Sequence, residues 1–178
     1  MDVGTETARS AVPASQFKKG MRRLSASVSL ITVNGPAGRN GMTGTAVCSV
    51  SADPPILLVS VNKDASIHDQ IVDRQRFGVN ILRPRHRPLA DRFSSGASGE
   101  ARFTQGLWID GALGVPVLKD ALASFACEVV RTVTVGTHDI FFGQVVGIDI
   151  SDGSPLLYGD GQYEIPLPTA PQAYHAMI

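Results

Sequence analysis

Two stretches of alternating apolar and polar residues, 121–135 and 138–150, meet at Gly136-Thr137, and they limit the architecture more than any other part of the chain. A period of two belongs to a strand with one buried face, and a glycine at the junction suits a tight hairpin. A similar pairing is predicted earlier in the chain. Residues 27–33 (SVSLITV) read as a strand, 34–40 (NGPAGRN) are dense in turn formers, and a second strand runs over 41–51. Pro54 and Pro55 close that strand, because proline has no N–H to donate to a central ladder. Strands are also predicted over 56–61 and 77–82, with edge strands at 155–158 and 162–165.

Helices are short insertions in this pattern. Ser15 is placed as the N-cap of a helix carrying Phe17, Met21 and Leu24 on one face, and Ser66 as the cap of a helix over 67–75 with Ile67 and Ile71 inward. A helical turn covers 89–93, a flexible loop 94–100 (SSGASGE), and 108–116 is irregular. The fold class is all-β with short helices, an antiparallel β-barrel rather than a doubly wound sheet. One domain over 15–166 lies between an N-terminal arm (1–14) and a C-terminal tail (167–178).

Composition removes several classes of function. With 178 residues, 43% hydrophobic and 18% charged, the chain is an ordinary globular one, and its zero formal net charge leaves no footprint for nucleic acid or an anionic membrane. No apolar run reaches the length of a membrane span. Cys48 and Cys127 form no CxxC, and the first residues lack a basic start and an apolar segment, so a reducing, cytoplasmic setting is expected. His68, His86, His138 and His175 show no zinc spacing, no GxSxG elbow is present, and Gly41-x-x-Gly44 is not a dinucleotide fingerprint. The segment 41–62 (GMTGTAVCSVSADPPILLVSVN) carries chemistry of another kind. Its small residues let backbone N–H groups approach a flat, polar-edged ligand, and Thr43, Thr45, Ser49 and Ser51 fall on one face of a strand. It reads as a cofactor cradle without a nucleophile or acid–base pair. Arg83, Arg85 and Arg87 read as a solvated group, and Arg92 as the better phosphate fork.

Together these segments resemble the short-chain NAD(P)H-dependent flavin reductases, the reductase components of two-component flavin monooxygenases, with 4-hydroxyphenylacetate 3-monooxygenase reductase as the nearest type. The resemblance rests on FKKGMRRLSASVSLITV, GMTGTAVCSVSADPPILLVSVN, FGVNIL, LADRFSSG, RFTQGLWIDGALGVPVLKDALASFACEV, GTHDIFFGQVVGIDI and PLLYGDGQY, in family order from about 16 to 165. It implies an FMN-binding split barrel, a homodimer with flavin near the subunit interface, and hydride transfer from NADH or NADPH to FMN, or alternatively FAD. The reduced flavin then serves a partner monooxygenase. By the same resemblance Asn40, Gly41, Met42, Thr43, Thr45 and Ala46 lie along the flavin, and Ser60, Val61 and Asn62 end the next strand against it. Ser66 and Ile67 open a helix whose N–H groups suit the phosphate, and Arg92 and Phe93 sit near the phosphate end. His138 faces the nicotinamide, and Tyr163 closes the same pocket. No catalytic side chain and no metal is implied, since the cofactors carry the chemistry. The family often has Asp where this chain has Thr137, and a Ser or Arg is common around Ala65 and Ser66, which points to backbone N–H groups for the phosphate. Other readings are a reductase passing electrons to an acceptor such as a corrinoid, an oxidase acting on a phosphorylated pyridoxamine, and a flavin-binding module without turnover.

Overall fold

The computed structural model describes residues 11–97 and 99–166. Its strands are β1 (Ala26–Ser27), β2 (Ser29–Gly35), β3 (Gly38–Gly44), β4 (Val47–Ala52), β5 (Pro55–Asn62), β6 (Arg76–Ile81), β7 (Trp108–Asp110), β8 (Pro116–Leu118), β9 (Ala123–Val135), β10 (His138–Ile150), β11 (Leu157–Gly159) and β12 (Gln162–Glu164). Three α-helices accompany them among the described residues: α1 (Ala14–Met21), α2 (His68–Arg74) and α3 (Arg87–Ser94). Seven strands form one antiparallel sheet in the order β3-β2-β6-β9-β10-β5-β4, β1-β11-β12 form a second sheet, and β7-β8 a small ribbon.

The long hairpin forms where the alternation puts it. Val135 pairs with His138 across a two-residue turn, and Gly136 takes the positive φ of 58° that such turns demand. The β2–β3 hairpin is tighter than its turn-former content suggests, with Gly35 paired to Gly38 across Pro36-Ala37.

The decisive topological fact is that β3 and β4 are consecutive in the chain yet occupy opposite edges of the seven-stranded sheet. Only Thr45 and Ala46 separate them, and three Cα steps span at most about 11 Å. The sheet must therefore curl until its edges stand side by side, giving a split barrel. Register shifts in the β9–β10 and β4–β5 pairs supply the bends such curling needs. Inside the barrel Val33, Val59, Val61, Phe77 and Phe141 pack together, with Ile67 and Ile71 from the α2 segment closing one end. A second cluster on the outer side of β2 and β3 joins Leu30, Leu82, Phe93 and Phe103 beneath α3. Each such fully buried side chain contributes about 1.5–3 kcal/mol by leaving water.

Several sequence expectations change. Residues 41–51 are not one strand: the break at Thr45–Ala46 sends Ser49 and Ser51 to the far edge, so the four hydroxyls share no continuous face. Pro13, not Ser15, precedes α1, which ends at Met21 before reaching Leu24, and Phe17, Met21 and Leu24 are 59%, 48% and 63% exposed. Ser66 does not cap α2; Ile67 holds that position, and Ser66 is held elsewhere. Residues 108–116 are not irregular throughout, since Trp108 pairs with Leu118 and Asp110 with Pro116. In the predicted loop 94–100, Ser94 belongs to α3, Glu100 is fixed by Arg39, and Ser98 lies outside the described residues. The tail 167–178 and the first ten residues of the arm also lie outside them, and α1 already begins at Ala14. No helix is long and apolar enough to cross a membrane among the described residues.

Candidate functional site

The gap between the two sheet edges is where open space gathers. Thr45 lines three cavities at once. One, of about 400 Å³, is mostly apolar and runs along β4 beside Ser49 and Ser51; another, of about 430 Å³, lies under α1 beside Phe17 and Met21. The third, of about 260 Å³, is bounded by Thr43, Gly44, Thr45, Ser94, Tyr158 and Tyr163. At this crossing the Ala46 carbonyl accepts from the Ser60 N–H at 3.1 Å, while among the described residues the N–H groups of Thr45 and Ala46 donate to no carbonyl or side chain. Two adjacent free N–H groups beside a cavity form a place for a polar-edged ring to be held by its oxygens.

Thr43 is only half free, because its hydroxyl donates to the Ala90 carbonyl of α3 at 2.7 Å. Met42 points the other way and packs on the barrel interior. Gly41 is small for a reason other than ligand approach: a Cβ there would stand 2.6 Å from the Phe93 ring and 2.8 Å from the Ile31 carbonyl. Phe93 in turn sits 5.1 Å from Phe103 and 5.5 Å from Trp108, so it is a core residue, 1% exposed. Gly44 has only ordinary contacts on its Cβ side, the nearest at 3.8 Å. Of the two glycines, Gly44 is the one that leaves room.

A buried polar cluster backs the other end of β3. Asn40, 4% exposed, donates from Nδ2 to the Ser66 carbonyl at 2.8 Å. Its Oδ1 accepts from the Gly41 N–H and from Arg102 Nη1, each at 2.8 Å. Arg102 also donates to the Gly41 carbonyl and to Ser66 Oγ, while its Nε has no partner. All these acceptors are neutral, and the nearby carboxylate of Glu100 is taken by Arg39 at 2.7 Å. Burial pulls the Arg102 pKa down, but a guanidinium keeps its proton. Among the described residues the cluster is therefore a full positive charge in a buried setting without a counter-charge, which is what an anionic group bound nearby would supply. α2 is only seven residues long, so the sequence expectation of a helix N-terminus at Ser66 is joined here by a charged side chain, Arg102.

Ser60, Asn62 and His138 come together on adjacent strands. Asn62 pairs with His138 and Ser60 with Ile140, all on the face away from the barrel core. Thr137 Oγ1 lies 2.9 Å from His138 Nδ1. Val61 and Ile67 have wholly buried side chains, so only their backbone can meet a ligand. Arg92 donates to the Ala101 carbonyl and Thr104 Oγ1, at 3.0 and 3.1 Å, so its fork is turned onto the 99–104 turn. The Arg83 group is not simply solvated: Arg83 is bonded to the carbonyls of Asp120 and Asp152, and Arg85 pairs with Asp120 at 2.9 Å. Tyr163 lines the cavity at Gly44, whereas His138 does not, so within one chain the two do not share that pocket. Burial, then Asp91, pushes the Tyr163 hydroxyl up to about 12, which keeps it a donor at neutral pH. Arg87 stacks over its ring at 5.2 Å.

Sequence reasoning missed Arg102, Gly44 and Tyr158. Gly44 had a signal, since period-2 alternation separates it from Gly41; Arg102 had none, because no pattern marks which of many arginines is buried.

Open barrel edges, free N–H groups at their crossing and a buried cation suit a flat, anionic ligand. Comparison with known proteins agrees. The family described as flavin reductase like domain matches residues 21–166. The FMN reductase (NADH) RutF of Variovorax paradoxus is 40% identical over 153 residues, 85% of each chain. The structure of BorF, the flavin reductase component of a bacterial two-component tryptophan halogenase, superposes with a TM-score of 0.81 at 29% identity, over 89% of this chain and all of that one. Streptomyces globisporus SgcE6, an NADH:FAD oxidoreductase solved with NAD and FAD fragments, gives 0.82 at 27% identity over 88% and 94%. The chain belongs to the flavin reductase-like family, and it is an NAD(P)H:flavin oxidoreductase.

Proposed function

We propose that this chain uses NADH to reduce FMN, held across the split between β3 and β4, and delivers the reduced flavin to a partner monooxygenase. The observation that carries the placement is the buried Arg102 charge at Asn40 and Ser66, a few residues along β3 from the open crossing at Gly44–Ala46. FMN fits both features: a phosphate for the cation and a ring edge for the free N–H groups. When bound, the flavin supplies the redox chemistry, taking a hydride from the nicotinamide. The protein contributes position. Arg102 anchors the anionic end, the N–H groups of Thr45 and Ala46 receive the ring oxygens, and Asn62 and His138 present the nicotinamide side. Those N–H groups would be placed to donate to negative charge on the ring.

A homodimer is supported by the apolar surface that one chain leaves open: Phe17, Met21 and Leu24 beside the cavity at Thr45, and Ile148 and Ile150 on β10. A second copy over that surface closes the groove. Cys48 and Cys127 are both free thiols, and burial drives Cys127 to about 12, which suits a cytoplasmic setting.

The test is anaerobic mixing of the purified protein with NADH, with and without FMN. Bleaching of FMN by NADH that requires the protein is expected; consumption of NADH that is indifferent to flavin would overturn the proposal.

A further inference from the structure

His68 begins α2, two residues after Ser66, and its ring is buried between two carboxylates. Nδ1 lies 2.8 Å from Asp69 Oδ1 and Nε2 lies 2.8 Å from Asp139 Oδ2. Ionised carboxylates only accept, so both ring nitrogens donate and the ring is an imidazolium. The two contacts are unequal. The Asp69 side chain is 93% exposed, and such a pair contributes little, whereas the Asp139 side chain is 11% exposed. Phe141 of β10 packs on the ring at 5.8 Å, and Lys63, on the connection from β5, is the other charge acting on Asp139.

Asp139 is the residue after His138. On a strand successive side chains point to opposite faces, so holding Asp139 inward turns His138 outward, beside Asn62. The hairpin tip is also tied at a second point, where the Lys63 N–H donates to the Thr137 carbonyl at 3.0 Å. One tie fixes how far the tip reaches; the His68–Asp139 tie fixes its roll.

We propose that His68 is a positioning residue that, through Asp139, sets the orientation in which His138 meets the nicotinamide nucleotide. This rests on the reading of His138 as a nicotinamide contact, and the experiment separates the two. His68→Ala, His68→Gln and His138→Ala are compared with the unmodified protein for the KM of NADH, the Kd of FMN by fluorescence quenching, and amide hydrogen exchange of the 135–140 hairpin. His68→Ala raises the NADH KM about tenfold, a cost typical of a misplaced positioning group, speeds exchange at the hairpin, and leaves the FMN Kd within about twofold. His68→Gln keeps a donor for Asp139, restores most of the KM, and guards against a variant that simply fails to fold. An unchanged KM and unchanged hairpin exchange in His68→Ala overturns the proposal, as does an equal rise in the NADH KM and the FMN Kd. Faster exchange in His68→Ala with an unchanged KM in His138→Ala removes the nicotinamide reading and leaves the clamp standing.

Discussion

Gly41 and Gly44 stand three residues apart on β3, and the space beside each is used in opposite ways. At Gly41 the missing side chain is replaced by the Phe93 ring and the Ile31 carbonyl, with Asn40 and Arg102 sealing the other side. At Gly44 the nearest atom to a built Cβ is 3.8 Å away, and the strand opens into a cavity and then breaks. One strand thus has a packed end that fixes charge and an open end that, in the function proposed here, receives a ring. A run of small residues is not one device, and the two ends should fail differently when changed.

Replacing Arg102 with Met tests the packed end most severely. The Gly41 carbonyl and Ser66 hydroxyl lose a donor, at a cost of about 1–3 kcal/mol in unfolding free energy. Losing a charged hydrogen-bonding partner is further expected to weaken FMN by about ten- to a hundredfold, while riboflavin, which has no phosphate, changes little. Titration of both ligands by fluorescence quenching checks this. Equal losses for the two would detach the charge from the phosphate.

Gly41→Ala is expected to act on the fold alone. The added methyl overlaps a wholly buried ring and a backbone carbonyl, and overpacking of this kind costs about 1–3 kcal/mol. Urea denaturation with an unchanged m-value reads it. A variant as stable as the parent would show that Phe93 yields freely, and Gly41 would return to the list of ligand-facing positions.

A weaker lever is pH, and it too belongs to the packed side. Two carboxylate hydrogen bonds hold the His68 pKa above its ordinary value against the opposing effect of burial, so its contribution is complete below about 6.5 and fades as pH rises through the folded value. Thr134, then the hydrogen bond and charge of His68, hold the Asp139 pKa below its ordinary value, so its contribution is present above about 3.9 and fades as pH falls through its folded value. The stability difference between the parent and His68→Gln, measured by urea midpoints across pH, should therefore shrink toward alkaline pH. A difference that is flat with pH would mean the ring is neutral.

How much of this was legible in the sequence follows from what each feature depends on. The β9–β10 turn was legible to the residue, although β9 begins at Ala123 rather than 121, because period-2 alternation and a glycine turn are local properties of this stretch. The barrel class followed from strand count. The break at Thr45–Ala46 was not legible, since both halves of 41–51 are acceptable strands and only the closure of the sheet separates them. The resemblance named Asn40 and Ser66, and the structure joins them by a hydrogen bond. It could not supply Arg102, which stands out only because, among the described residues, it is buried with no acid partner. Phe17 and Met21 were read correctly onto one helix, Leu24 falls beyond its end, and all three are exposed among the described residues.

Gly44→Ala carries the smallest stability effect and the sharpest meaning. No atom obstructs the methyl, and Gly44 does not require a positive φ, so unfolding free energy should move by no more than about 0.5 kcal/mol. The methyl projects on the Ile31 and Met42 side of β3, one residue before the strand breaks at Thr45, where a flat ring lying across the split on that side would meet it. Flavin affinity should consequently fall for FMN and riboflavin alike, because the obstruction meets the ring they share and not the phosphate. That pattern is the mirror image of Arg102→Met, which separates the two ligands, and of Gly41→Ala, which touches stability first. If Gly44→Ala instead binds both flavins as the parent does, the ring lies elsewhere along the split, and the free N–H groups of Thr45 and Ala46 lose their assigned partner.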